Sequence, residues 1–431
     1  VITWRAGVVE QVGRSWPGAV ELTVTVADGV SGPDPVSVRA LAYPALVGTP
    51  QVGDPVLLNV SALARGLGTG GYALVVAPGS PGRLPADPPA GPGHLVKARY
   101  TPLQAMVLGV DDQESPHHAT LRDADDLGGM PVVVADLHSA LPAVVAGIRY
   151  ADARLAAAGD EPLTVAYVMS DGGALPAWFS MAVAGLRDAG WLTACLTAGQ
   201  AFGGDHEAVT VHTALLAARH VVGADVVVVA QGPGNLGTGT RWGFSGVAAG
   251  EAVNAAAVLG GRPVASLRVS GADARERHLG VSHHSLTAYG RVALAPADVV
   301  VPVFDPAPAV PAEASATVRT GTGRTGTAQP GTGPGAERPE EPGLHVPDPQ
   351  EHPEAHLAAV GRRVAQQARA LAAPAGRHRL VDVPAGADLL TALGGSPVRL
   401  STMGRGLAQD PAAFLAAAAA GAHAAALARG A

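Results

Sequence analysis

From Tyr100 onward the chain alternates short, uninterrupted apolar runs with helical stretches, and this alternation restricts the fold more than any other feature. The apolar runs are Met106–Val110, Val132–Ala135, Leu163–Met169, Leu192–Thr197, Asp225–Ala230, Val264–Val269 and Val299–Val303. Helical patterns between them cover Leu141–Ala157, Leu175–Ala189, Ala208–Val222 and Val247–Leu259. A strand that is apolar at every position is buried on both faces, and helical crossovers join such strands in parallel. The expectation for residues 100–305 is a doubly wound, mostly parallel α/β sheet with helices on both faces.

The flanking segments read differently. Residues 1–78 carry five short strand patterns, Thr3–Val12, Val20–Ala27, Val36–Tyr43, Pro55–Val60 and Tyr72–Ala77, with turn signals between them. That spacing predicts a small β-barrel or sandwich. Residues 79–99 form a Pro/Gly-rich linker and an entry strand. Residues 306–353 hold almost no aliphatic clusters and repeat Thr-Gly and Pro-Gly, so they are expected to be disordered. Residues 354–431 predict a helix, a strand at Leu380–Val383, a short helix, a strand at Val398–Ser401 and a helix from Pro411 to Arg429, all docking back on the sheet.

Composition removes several chemistries. Lys97 is the only lysine, so the Gly-Lys-Ser/Thr of a Walker-A loop is missing. The single cysteine, Cys195, excludes thiolate zinc clusters and internal disulfides, and is expected to be a small buried hydrophobe. A net charge of −7 gives no footprint for nucleic acid or an anionic membrane. No apolar run approaches the ~20 residues of a spanning helix, the nearest being the alanine-rich Ala412–Ala428. The first residues show no signal-peptide core, and a cytoplasmic location is expected.

Ligands of open α/β sheets bind at the carboxyl ends of strands. There this chain places Asp111–His118, Asp136–Ser139, Ser170–Gly173, Thr197–Glu207 and Gln231–Gly246, with a sixth loop holding His278, His283 and His284. Asp136 and His138, two apart in extended chain, are candidates for one shared ion or proton; N-capping by Asp136 or Ser139 is the competing reading. Asp205-His206-Glu207 lacks the second histidine four residues on, so it is not a zincin helix. A plain acidic helix cap competes with a catalytic role there. The pairs His117-His118 and His283-His284 stand at helix starts, where neighbours diverge by about 100° and one of each pair at most faces a site. Gly232-Pro-Gly-Asn-Leu-Gly237 has the letters of a dinucleotide fingerprint but the wrong context. An anion-binding loop with Thr238, Thr240 and Arg241 is the preferred reading, against a long structural turn. Ser170-Asp171-Gly172-Gly173 offers backbone N–H groups in the same way, and Arg405 a guanidinium. Gly243-Phe-Ser-Gly246 lacks the spacing of a nucleophile elbow.

Several longer stretches carry a family likeness: Trp4-Arg5, Tyr43-Pro-Ala-Leu46, Gly66-Leu-Gly-Thr-Gly-Gly-Tyr72, Tyr100-Thr-Pro-Leu-Gln104 and Glu114-Ser-Pro-His-His118. Others are Ser170-Asp-Gly-Gly-Ala-Leu-Pro176, Ala201-Phe-Gly-Gly-Asp205, Gly237-Thr-Gly-Thr240 and Val281-Ser-His-His-Ser285. Together they resemble the uncharacterised bacterial domain-of-unknown-function family 3866, across nearly the whole chain except 306–353. The resemblance implies no reaction.

The functional expectation is an enzyme acting on a small phosphate- or carboxylate-bearing metabolite at the C-terminal edge of the sheet. His138, His206, Glu207 and Asp171 are the catalytic candidates. Ser170, Gly172, Gly173, Gly204, Gly232, Gly234, Gly237, Thr238, Thr240, Arg241 and Arg405 are the binding candidates. A divalent metal is an open addition, with Asp136, His138, His118, Asp205, His206 and His283 as its candidate ligands. The alternative is a non-catalytic module that binds a nucleotide or small anion. Oligomeric state is not readable.

Overall fold

The computed structural model describes residues 2–30, 34–67, 69–80, 87, 91–304, 353–372 and 376–431. The first five strands are β1 (Trp4–Trp16), β2 (Ala19–Val26), β3 (Val36–Ala42), β4 (Pro55–Asn59) and β5 (Ala73–Pro78), with short helices α1 (Pro44–Val47) and α2 (Ser61–Ala64). They close into a barrel in the order β1-β2-β3-β5-β4. Alternate residues such as Leu22, Val24 and Val26 fill its interior, as the two-residue period of a strand requires. The barrel leans on the second domain through tryptophans. Trp16 Nε1 donates to the Trp178 carbonyl at 2.7 Å, and Gly18, at φ +82°, lies so close under the Trp178 ring that a Cβ would overlap it.

An antiparallel pair, β6 (Leu95–Lys97) and β7 (Ala105–Val107), leads into the second domain, followed by helix α3 (His118–Leu121). The main sheet then comprises β8 (Pro131–Val134), β9 (Val165–Ser170), β10 (Ala194–Thr197), β11 (His206–Glu207), β12 (Val226–Gln231), β13 (Arg262–Ser266), β16 (Asp298–Val303) and β17 (Arg379–Pro384). Two small hairpins complete the strands, β14 (Val269–Ser270) with β15 (Gly280–Val281) and β18 (Ser401–Thr402) with β19 (Arg405–Gly406). The main sheet is parallel throughout, in the order β11-β10-β9-β12-β8-β13-β16-β17. The α/β fold and the barrel are those the sequence predicts.

Two details differ. Met106–Val110 is not a main-sheet strand; only Gly109 bridges to it, against Glu207. The edge position falls to β11, whose two residues are too few to show a period. Val398–Ser401 does not join the sheet, and Ser401–Thr402 pairs with Arg405–Gly406 instead. The segment expected to be disordered, 306–353, lies outside the described residues except for Pro353, which opens a helix.

The further helices are α4 (Leu141–Leu155), α5 (Met181–Asp188), α6 (Val211–His220), α7 (Ala248–Val258), the short α8 (His283–Thr287), α9 (Pro353–Ala368), α10 (Ala387–Gly394) and α11 (Pro411–Arg429). By length and composition α11 is the one helix among the described residues that could cross a membrane, yet most of it is buried against α4, β8, β13 and β16. Small residues permit this. A Cβ on Gly147 would stand 1.9 Å from the Ala418 carbonyl oxygen, and one on Gly421 2.0 Å from that of Val144. The two backbones therefore touch.

Right-handed crossovers fix the location of the cleft. From β8 the chain moves through α4 to β9, toward the β11 edge; from β12 it moves through α7 to β13, the other way. Neighbours β8 and β12 thus send their helices to opposite faces, the reversal of direction that marks a switch point. There Gln231 Nε2 donates to the Asp136 carbonyl at 2.9 Å and ties the two strand ends together.

Candidate functional site

At the β10–β11 end every predicted group already has work inside the fold. Glu207 is buried; Oε2 accepts from Thr197 Oγ1 at 2.6 Å and Oε1 from the Gly203 N–H at 2.7 Å. Lys97, 2% exposed, sets Nζ 3.5 Å from Glu207 Oε2 and donates to the Ala201 and Ala208 carbonyls at 2.9 and 2.8 Å. Burial raises the Glu207 carboxyl and lowers the Lys97 ammonium, the ordinary response of charges leaving water. Asp205 receives the Cys195 N–H at 2.8 Å and an ion pair from Arg187. Asp171 accepts from the Gln200 N–H at 2.8 Å. His206 and His117 meet edge to face at 5.7 Å, while His118 turns back to the Asp111 carbonyl. The acidic-cap reading is also corrected: His206-Glu207 is strand, and Thr210 caps α6 by accepting from Thr213 N.

The predicted anion loops use their glycines for close approach. A Cβ on Gly173 would meet the Gly232 carbonyl oxygen at 2.1 Å, one on Gly232 the Ala174 carbonyl at 2.4 Å, and one on Gly172 the Gln231 side chain at 2.6 Å. A Cβ on Gly204 would crowd the Cys195 carbonyl at 2.7 Å. Ser170 contributes its carbonyl, which receives the Gly232 N–H at 3.1 Å. Beyond these contacts the chain leaves the body as an exposed hairpin through Gly234, Gly237, Thr238, Thr240 and Arg241, closed by Thr238 N to the Gly243 carbonyl at 2.8 Å. Leu236 and Trp242 lie exposed on it.

His138 is a joint between elements. Its Nδ1 lies 3.0 Å from the Tyr167 hydroxyl and its Nε2 2.8 Å from Ser180 Oγ. The Tyr167 proton points at the Ala230 or Gln231 carbonyl, so His138 Nδ1–H donates to Tyr167 and Nε2 accepts from Ser180. Burial lowers its pKa to about 4.

Among the described residues five buried side-chain atoms have no hydrogen-bond partner, on Asp112, Asp136, Arg149, Gln231 and His283; those of Asp136 and His283 lie at the β8–β13 end. Asp136 is 3% exposed and its Oδ2 has no hydrogen-bond partner. Burial pushes its pKa up to about 6 against the pull of Arg268. Asp136, Ser139, Arg268 and Thr402 line a common cavity of about 30 Å³. Tyr289, on a π-helical turn after α8, places its hydroxyl 2.8 Å from the Val134 carbonyl and 3.1 Å from that of Ser266, tying the ends of β8 and β13 together. Such turns recur at functional sites.

Beside Arg268, His278, His283 and His284 each bring one ring nitrogen to within 4.8 Å of the others. Both members of the His283-His284 pair therefore face one place, against the expected divergence, because His278 meets them from the preceding turn. Phe244 stacks flat on His284 at 3.9 Å. His278 Nδ1 lies 2.8 Å from Ser282 Oγ, and Arg268 Nη1 donates to His284 Nδ1 at 3.1 Å. Burial first, then Arg268, lowers His278 to about 4 and His284 to about 3; burial lowers His283 as well. All three shifts favour the neutral ring. Arg405 stands farther along, paired with Asp410 and Asp273, so its charge is already balanced.

The six groups expected to share an ion do not meet. Among the described residues only His278-His283-His284 and the more exposed His94-Asp112-Glu114 gather three metal-capable side chains. Of the expected ligands, only His283 belongs to either.

A family model described as "Protein of unknown function (DUF3866)" matches residues 39–421. The chain belongs to the DUF3866 family. The match spans the end of the barrel, the whole sheet and most of α11, and so contains every group of the β8–β13 end. A comparison with curated proteins gives no match. Within this DUF3866 chain, sequence reasoning named the loop with His278 and His284 but left both out of the ligand set, and it missed Arg268 and Phe244. The readable signal was Ser282 before two histidines and an arginine just past a buried strand.

Proposed function

We propose that this protein is an enzyme acting on a small phosphate- or carboxylate-bearing metabolite at the C-terminal edge of its sheet. Arg268 takes the anion and Asp136 exchanges a proton with the substrate. The observation that carries this reading is the buried, unpartnered Oδ2 of Asp136 in a cavity it shares with Arg268. A carboxyl held near 6 suits proton transfer at neutral pH, because both forms stay populated. The exposed Leu236–Trp242 hairpin supports this reading, because its root at Phe244 and Gly246 lies beside Asp136. The protein works in the cytoplasm, and neither nucleic acid nor membrane is a partner in this reading.

A thermal-shift screen of phosphorylated and carboxylated metabolites tests the anion, followed by turnover assays on each hit. Arg268→Gln should abolish the shift. Asp136→Asn should keep it and lower turnover by about 10²–10⁴-fold, the usual share of general acid–base catalysis. Hits that ignore Arg268→Gln would overturn the reading. The small volume of the cavity favours a second reading, a binding module that admits only a ligand's head group; a shift without turnover selects it.

A further inference from the structure

The three-histidine cluster has a use that does not depend on the anionic substrate. We propose that His278, His283 and His284 bind one divalent first-row transition-metal ion. Three convergent imidazoles are the protein ligands of a catalytic zinc centre with an open fourth position. Their nitrogens already lie within 4.8 Å of one another, so modest ring rotations reach the ~2.0–2.1 Å metal–nitrogen distance.

Each ring has a stated state. His283 Nε2 is buried with no hydrogen-bond partner, which costs free energy unless something binds it. Ser282 Oγ accepts the His284 N–H at 3.2 Å and holds His278 by Nδ1. If His278 Nδ1–H donates to it, Nε2 is left with a free lone pair. This is the supporting contact that fixes the tautomer of metal-binding histidines. Phe244 fixes the plane of His284.

Arg268 makes the proposal more specific. A guanidinium only donates, so Nδ1 of neutral His284 is its acceptor and Nε2 carries the proton. Metal at Nδ1 displaces Arg268. Metal at Nε2 moves the proton to Nδ1, which can then no longer accept. Either way the ion and the guanidinium compete for His284, and binding frees Arg268 toward an anionic fourth ligand. Neutral nitrogen donors with no free carboxylate select zinc-like ions over magnesium or calcium. Asp273, the acid whose charge acts on His278, is bound by Arg275 through both oxygens.

The test is Co²⁺ titration of the full chain after chelator treatment, read by the visible bands of a four-coordinate ion, with Zn²⁺ as competitor. One saturable site per chain is expected. His278→Gln and His283→Gln should each weaken it by more than the roughly 10–100-fold cost of losing a supporting contact. Arg268→Met should tighten binding, and His212→Gln, on the exposed side of α6, should leave it unchanged. Circular dichroism establishes that the variants are folded; should a histidine variant unfold, the wild-type and Arg268→Met titrations decide. No saturable site, a site indifferent to His283→Gln, or weaker binding in Arg268→Met overturns the proposal. No substrate enters these measurements, so they fail or succeed separately from the screen above.

Discussion

At the β10–β11 end of the sheet, Glu207 commits both oxygens to Thr197, Gly203 and Lys97. At the β8–β13 end, Asp136 keeps an oxygen with no partner, and His283 a nitrogen. Both ends sit at carboxyl termini of parallel strands, and both hold acids, histidines and glycines. The residue types are therefore a poor guide to function. Unfilled hydrogen-bonding capacity is the better one where it meets a cavity or a cluster of rings, as at Asp136 and His283; Asp112, Arg149 and Gln231 carry such an atom too, Asp112 with the exposed His94 ring at 3.1 Å.

Acidification gives the broadest test of this contrast, because it acts on several groups at once. His138 and His278 titrate near 4 and His284 near 3 in the folded chain, against 6.5 unfolded. Their contribution is complete above the unfolded value and is lost as pH falls through the folded ones. Asp136 runs the other way: raised from 3.8 to about 6, it contributes fully below its unfolded value and loses that contribution as pH rises through 6. His206, His283 and His378 are lowered as well and Glu207 is raised, so lowered histidines outnumber raised carboxyls and predict a net fall in stability of the metal-free protein from pH 6.5 to 4.5, read as a lower urea midpoint. An unchanged midpoint would mean that these rings are not buried neutral.

Lys97→Met comes next. It strips a buried carboxylate of its cation and should destabilise by about 3–5 kcal/mol in urea unfolding. Full stability in that variant would move Glu207 from the structural end of the contrast to the functional one. The smallest effect belongs to His138→Ala, which leaves Ser180 and Tyr167 short of a partner at about 1–3 kcal/mol, with metal and anion binding retained. Loss of binding in a fully stable His138→Ala protein would extend the site across β8 to β9.

The sequence exposes the sheet because Val226–Ala230 and Val132–Val134 are apolar without a break, and the barrel because Ala19–Val26 alternates. It hides β11, since two residues carry no period. It hides the Lys97–Glu207 pair too, because the partners lie far apart in the chain and lysine is ordinarily a surface residue. The histidine cluster was half legible: composition marks the loop, but only the turn at His278 brings three rings together. The Ser170–Gly173 and Gly232–Gly237 loops show the opposite fault. Their glycines resemble an anion cradle, while in the fold Gly173 and Gly232 let two backbones pass at contact distance.

The touching backbones of Gly147 and Gly421 have a kinetic consequence. α11, late in chain order, lies across β8, the first strand of the sheet in the chain, so the part of β8, β13 and β16 that it covers stays bare until this helix has been synthesised. Such a topology cannot be completed strand by strand as the chain emerges. Its closing contact joins the most distant parts of the domain, which places this protein among slow folders that expose an apolar sheet while they wait.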